Sequence, residues 1–312
     1  MKLLINFKLI PFLVIFLITT ICYASPNNKS LSIPLYYDLN LGVYTADIQI
    51  NNEEKLIGFV VDTGAPLTQK SNIGNILNTF DLKKEFTFLL CGKNNNLVIG
   101  NYLPQDKNKR PLINIKRTPL SLNKFYIVGL SGIEGNEGNP IVKYYPHNYA
   151  EAILDSSAGG LIVLPNDSFN VIIKYIKQYY YNFDENKGEV FILDFWHNNS
   201  CAESKLIKNN YFPDIKLSFP DYYNQNNNIT ITLTPDKYIT SVGCDNGFKR
   251  LSFIIHDNYK KHIKHKKFLK ENNPNSFILG TPIFEQYGIT FNLDGDPKVK
   301  FFNKYFPCQE LN

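Results

Sequence analysis

The sequence predicts a mainly β protein organised in two lobes. Most apolar stretches are short, alternate with polar residues and are rich in Val, Ile, Tyr, Phe and Thr, which is the period-two pattern of half-buried strands. One long segment carries the 3.6-residue period of an amphipathic helix instead. At 312 residues, 44% of them hydrophobic, the chain exceeds what one core usually fills, so two lobes follow.

The elements are taken in chain order. Residues 1–24 read as a secretory signal: Lys2 and Lys8 precede an apolar run interrupted by Pro11, and Cys22-Tyr23-Ala24 offers a small-residue cleavage site. The run is short for a bilayer span, so no stable membrane insertion is expected once it is removed. Its loss takes the formal charge from +5 to +3 and leaves Cys91, Cys201, Cys244 and Cys308. In an oxidising compartment, secreted or endomembrane, these four admit two bridges in three pairings.

Strands are predicted over 44–50 and 56–61, and a short helix over 72–80. A further strand is predicted over 123–130. After Pro165, Asp167 or Ser168 can cap a helix whose apolar positions Ile172, Tyr175, Ile176, Tyr179 and Tyr180 share one face. Strands over 214–219, 229–233 and 288–293 complete the set, with the Asn-rich stretch 224–228 as a hairpin tip. The basic run 260–270 reads as a solvated insertion between strands. Its His262 and His265 lack further ligands, so no metal is expected there. The 33 Lys and Arg against 28 Asp and Glu are a mild excess without the clustered Arg of a nucleic-acid face.

Two segments carry chemistry. In Phe59-Val60-Val61-Asp62-Thr63-Gly64-Ala65 an apolar strand delivers an acid, a hydroxyl and a glycine, and in Ala152-Ile153-Leu154-Asp155-Ser156-Ser157-Ala158 a second strand delivers an acid and a hydroxyl. Each alone is explained as a turn in which Asp caps backbone donors. A pair of equivalent segments, one per lobe, points to two carboxylates acting together.

On these residues the chain resembles the pepsin-like aspartic proteases, in their nepenthesin- and plasmepsin-like branch. The strand Tyr44-Thr45-Ala46-Asp47-Ile48-Gln49-Ile50 is similar to the family's opening hairpin, and Thr118-Pro119-Leu120-Ser121-Leu122 with Phe125-Tyr126-Ile127-Val128-Gly129-Leu130 resembles the start of its C-terminal lobe. Phe277-Ile278-Leu279-Gly280-Thr281-Pro282-Ile283-Phe284 resembles the family's closing segment. The likeness implies a bilobal pepsin-like acid protease fold, with a reduced N-terminal lobe at 25–117 and a C-terminal lobe at 118–312. The reduction lies just after Asp62. Only 93 residues separate Asp62 from Asp155, and the flap tyrosine and the strand supporting the first aspartate are missing from that interval. Tyr102 is the one candidate for the flap.

The resemblance implies an aspartic endopeptidase in which Asp62 and Asp155 share one proton, and one activates water while the other donates to the oxyanion. Thr63, Gly64 and Ser156 would support them, the two hydroxyls bonding across the lobe junction. The substrate would be a peptide or protein, the chain a monomer, and neither metal nor cofactor is needed. The likeness also assigns the bridges: Cys201 with Cys244 on a C-terminal hairpin, and Cys91 with Cys308. Three departures bear on activity. Ser157 stands where the family has glycine, which predicts strain in that turn. Ala65 and Ala158 replace hydroxyl donors, which predicts a raised carboxylate pKa and activity nearer neutrality. Gly159-Gly160 adds a residue behind Asp155. The alternative is a catalytically inactive protein of the same fold that binds a peptide or protein.

Overall fold

The computed structural model describes residues 30–38, 43–49, 55–65, 77, 80, 82–92, 94–102, 115–122, 125–144, 148–183, 195–196, 200–262, 275–303 and 308. The signal segment and most of the predicted helix at 72–80 lie outside them, as does the basic run beyond His262.

The protein is mainly β, in several sheets. The largest has eight strands in the order Lys55–Val60, Val43–Gln49, Ser30–Asp38, Asn95–Gly100, Glu85–Leu89, Gly288–Asn292, Lys298–Phe302 and Lys116–Pro119. Every pairing in it is antiparallel. Residues near the C-terminus therefore complete a sheet begun near the N-terminus. The predicted lobe boundary at 117/118 falls inside the strand Lys116–Pro119.

Where the two parts of the chain meet, the sheet is aromatic. Phe86 stacks on Phe291 with ring centroids 4.7 Å apart, and Phe88 meets Phe284 edge-on at 5.1 Å. All four are fully buried. The one acid in that layer, Glu85, is fully buried too, and it accepts hydrogen bonds from Lys83 and Lys300, both at 3.0 Å. A buried carboxylate requires such partners.

A second, five-stranded sheet has the order Phe253–Ile255, Ile162–Leu164, Phe277–Leu279, Ala150–Leu154 and Ile127–Leu130. Ala150–Leu154 pairs in parallel with Phe277–Leu279 and antiparallel with Ile127–Leu130. Its residues Ala152, Leu154, Phe277 and Leu279 are all fully buried, as an apolar strand covered on both faces requires. A four-stranded sheet and a small three-stranded one complete the architecture.

The amphipathic helix spans Asn166–Phe183. It begins at Asn166, ahead of the expected caps, because the Pro165 carbonyl already accepts the first helical bond, from Phe169 N. Ile172, Ile173, Ile176 and Tyr180 are buried as the period required. Tyr180 packs among Trp196, Tyr211 and Phe212, while Tyr175 and Tyr179 present their hydroxyls to Asn136. Of the tyrosine run 179–181, Tyr180 is the residue packed in the core, while Tyr181 is exposed.

Both predicted disulfides are present: Cys91–Cys308, and Cys201–Cys244 with a sequence separation of 43. Closing a loop of that length should stabilise the fold by about 3–4 kcal/mol through the unfolded state. Replacing both Cys201 and Cys244 by Ser is expected to lower the unfolding free energy by that amount in urea titrations. A loss under about 1 kcal/mol would contradict the entropic account.

Candidate active site

Asp62 sits two residues beyond the strand Lys55–Val60 and Asp155 one residue beyond Ala150–Leu154, each entering a turn. The first turn follows Lys55–Val60, held by Val61 N donating to the Tyr44 carbonyl at 3.1 Å. The second follows Ala150–Leu154, with Asp155 N donating to the Leu279 carbonyl at 3.0 Å.

The hydroxyls that follow the two acids lock the turns together. Thr63 Oγ1 donates to the Leu154 carbonyl at 2.7 Å, and Ser156 Oγ donates to the Val61 carbonyl at 2.7 Å. In return Thr63 N donates to Ser156 Oγ at 3.1 Å, and Ser156 N to Thr63 Oγ1 at 2.9 Å. Each hydroxyl spends its one hydrogen on a carbonyl and accepts from the opposite amide, a reciprocal set with both residues buried. Segments 93 positions apart in sequence are thereby held in register.

This grip faces the carboxylates toward each other. Asp62 Oδ1 accepts from the amides of Gly64 at 2.8 Å and Ala65 at 2.9 Å, and Asp155 Oδ1 accepts from the amide of Ser157 at 2.8 Å. Glycine is obligatory at position 64. A Cβ there would lie 2.1 Å from Asp155 Cγ.

Ser157 is where the structure departs from expectation. Its amide keeps the bond to Asp155, so the turn accommodates the side chain. Its Oγ lies 2.9 Å from Asp62 Oδ1 and 2.7 Å from Asp155 Oδ1, bridging the two acids. A hydroxyl has one hydrogen and can donate to only one of them. Both contacts are satisfied together when the other carboxyl is itself protonated and donates to Oγ. The geometry therefore fits a pair holding one proton.

Asp155 has a further donor that the sequence did not disclose. Tyr259, buried on the short helix His256–His262, directs its hydroxyl to Asp155 Oδ2 at 3.3 Å. Burial and the two nearby carboxylates hold its phenol pKa well above the usual value, so it stays a neutral donor. The two acids thus receive side-chain hydroxyl contacts from Ser157 and Tyr259. The doubled Gly159-Gly160 is taken up in a compact turn, with Gly160 at φ +70° and Leu161 N bonded to the Ala158 carbonyl at 2.9 Å. Tyr102, the flap candidate, packs its ring on Phe302 with 6.0 Å between centroids.

Both carboxyls titrate high. Asp62 is pushed up to about 7, first by burial and then by the charge of Asp155, against the lowering effect of Ser157 and the two amides. Asp155 is raised by burial, against its bonds from Ser157 and Tyr259. Desolvation sets the direction. The proton belongs to the pair rather than to either residue.

A stability consequence follows. Below pH 4 both acids are neutral in the folded and unfolded chain alike, and their contribution is fully favourable. As pH rises from about 4 the unfolded chain ionises first, so folding loses stability, and for Asp62 the loss is complete above about 7. Its size is roughly 2–4 kcal/mol, the low end allowing for the partial access of Asp62 to solvent. Asp62→Asn removes one ionisation, so the variant should be the more stable protein at pH 8 and close to native at pH 4, measured by urea unfolding. Equal differences at both pH values would contradict the raised pair.

One cavity of about 480 Å³ lies away from this site, lined by Lys116, Arg117, Tyr223 and Phe302 among others, and shares no residue with it. Among the described residues no helix is long and apolar enough to cross a membrane. No protein-family model matches the chain, and a search of the curated proteins returns no match.

Proposed function

We propose that this chain is an aspartic endopeptidase of the pepsin-like type with a reduced N-terminal lobe, hydrolysing peptide bonds with Asp62 and Asp155. The observation that carries the reading is the pair itself: two acids on equivalent strand-end turns, locked by reciprocal Thr63 and Ser156 hydrogen bonds, with one hydroxyl within 2.9 Å of both. In the reaction the ionised carboxyl takes a proton from water as that water attacks the peptide carbonyl. The neutral carboxyl donates its proton to the developing oxyanion, and collapse of the tetrahedral intermediate expels the protonated amine. In that collapse the first carboxyl gives the proton it took from water to the departing amine while the second takes one from a diol hydroxyl, so the pair ends as it began, with one proton. The substrate is an extended segment of peptide or protein, and the two disulfides suit a secretory or extracellular setting.

A second reading, a peptide- or protein-binding protein that does not cleave, is favoured by one feature: Ser157 stands where the glycine of the other turn leaves space. The deciding experiment is turnover of fluorescent casein by the purified chain across pH 3 to 8. Turnover that persists toward neutrality and disappears in Asp62→Asn is expected. Turnover indifferent to that substitution, or none at any pH in the native chain and in Ser157→Gly alike, would overturn the protease reading and leave the binding one.

A further inference from the structure

One place for an attacking oxygen, between the facing Oδ1 atoms of the two carboxylates, is already occupied by a side chain. A water that gives its proton to one acid must lie within about 2.6–3.2 Å of it, and to be aligned by the second it must satisfy the same limit there. The atom that meets both limits is Ser157 Oγ, at 2.9 Å from Asp62 Oδ1 and 2.7 Å from Asp155 Oδ1. Two oxygens cannot occupy that place together.

We propose that the Ser157 hydroxyl is a built-in stopper, seated where the attacking water must sit, which swings out before each hydrolytic event. The inference rests on the two-aspartate hydrolase reading and adds to it a control residue. It belongs to one side of the pair only. At Gly64, the matching position of the first turn, a Cβ would fall 2.3 and 2.4 Å from the Asp155 carboxylate oxygens, so no side chain fits there. At position 157 a Cβ is accommodated and carries a hydroxyl into the centre. The movement required is small, since a serine has a single rotatable side-chain bond with three staggered wells. Among the described residues, leaving the seat breaks only the two bonds to the acids: the Thr63 and Ser156 grip, the amide bonds to Asp62 Oδ1 and the Tyr259 bond to Asp155 all involve other atoms. The two acids keep their positions while the seat changes occupant.

The test compares native chain, Ser157→Ala, Ser157→Gly and the double variant Asp62→Asn/Ser157→Gly in casein turnover at matched pH. Ser157→Ala keeps the Cβ and removes only the hydroxyl, which guards against a glycine variant that folds poorly. Both single variants should turn over casein at least tenfold faster than the native chain, with the gain in kcat and KM little changed, and the double variant should be inactive. A merely structural serine would give a loss. If the native chain cleaves and the two variants are equal to it or slower, the stopper is overturned while the hydrolase reading stands; inactive variants beside an active native chain would make the hydroxyl a participant in the chemistry. If neither the native chain nor either variant cleaves, the hydrolase reading falls and the stopper falls with it.

Discussion

Asp62→Asn and Asp155→Asn are each expected to lower casein turnover by about three orders of magnitude or more, with the chain still folded. Asparagine has nearly the shape of aspartate and keeps an oxygen to accept the amides of Gly64 and Ala65, or that of Ser157. What it lacks is a proton that can be taken up and released. In the proposed mechanism the acids hold one proton between them, so removing either disables both halves of the acid-base cycle. The two losses should therefore be similar and the double variant hardly worse, as found generally for groups that act as a unit. Side-by-side turnover of the three variants checks this. A single variant retaining a tenth of native activity would show that one carboxylate works alone.

Gly64→Ala should be the most damaging substitution that leaves every charge in place. Its methyl would meet Asp155 Cγ at 2.1 Å, well inside any real contact, so either the carboxylate or the first turn must give way. Catalytic constellations tolerate about half an ångström, and a displacement of about 1 Å costs on the order of a hundredfold. A hundredfold or greater fall in kcat is expected, together with a loss of stability measurable by thermal unfolding. Full activity in Gly64→Ala would mean that the turn can move without disturbing the pair.

Much of this arrangement could be read in the sequence because it is encoded locally. Alternation located the strands Val43–Gln49, Ile215–Pro220 and Asn228–Leu233 to within a residue or so. The acids were visible because each ends an apolar strand and is followed by a hydroxyl, a short-range pattern. Helix Asn166–Phe183 announced its buried face through Ile172 and Ile176, but its first residue was set by a proline carbonyl that side-chain capping rules do not consider. What escaped depends on distant partners. Tyr259 reaches Asp155 across 104 positions, and Lys300 reaches Glu85 across 215. Nothing near Tyr259 marks it out beside a run of lysines. Ser157 was legible as a departure from glycine, yet composition could suggest only strain. Its rotamer, placing one oxygen between two carboxylates, is a fact of three dimensions.

The Cys91–Cys308 bridge joins residues 217 positions apart, which makes most of the chain a covalent ring. Asp62 lies outside that ring, ahead of its first cysteine, and Asp155 lies within it. A single backbone cut between 102 and 115 would put the two acids on separate polypeptides, one ending beyond Cys91 and the other ending beyond Cys308. The sulfur bridge would still connect the pieces, and the sheet shared by Glu85–Leu89 and Gly288–Asn292 would still align them. Such a cut would leave a two-chain molecule whose pieces stay covalently joined until the Cys91–Cys308 bridge is reduced.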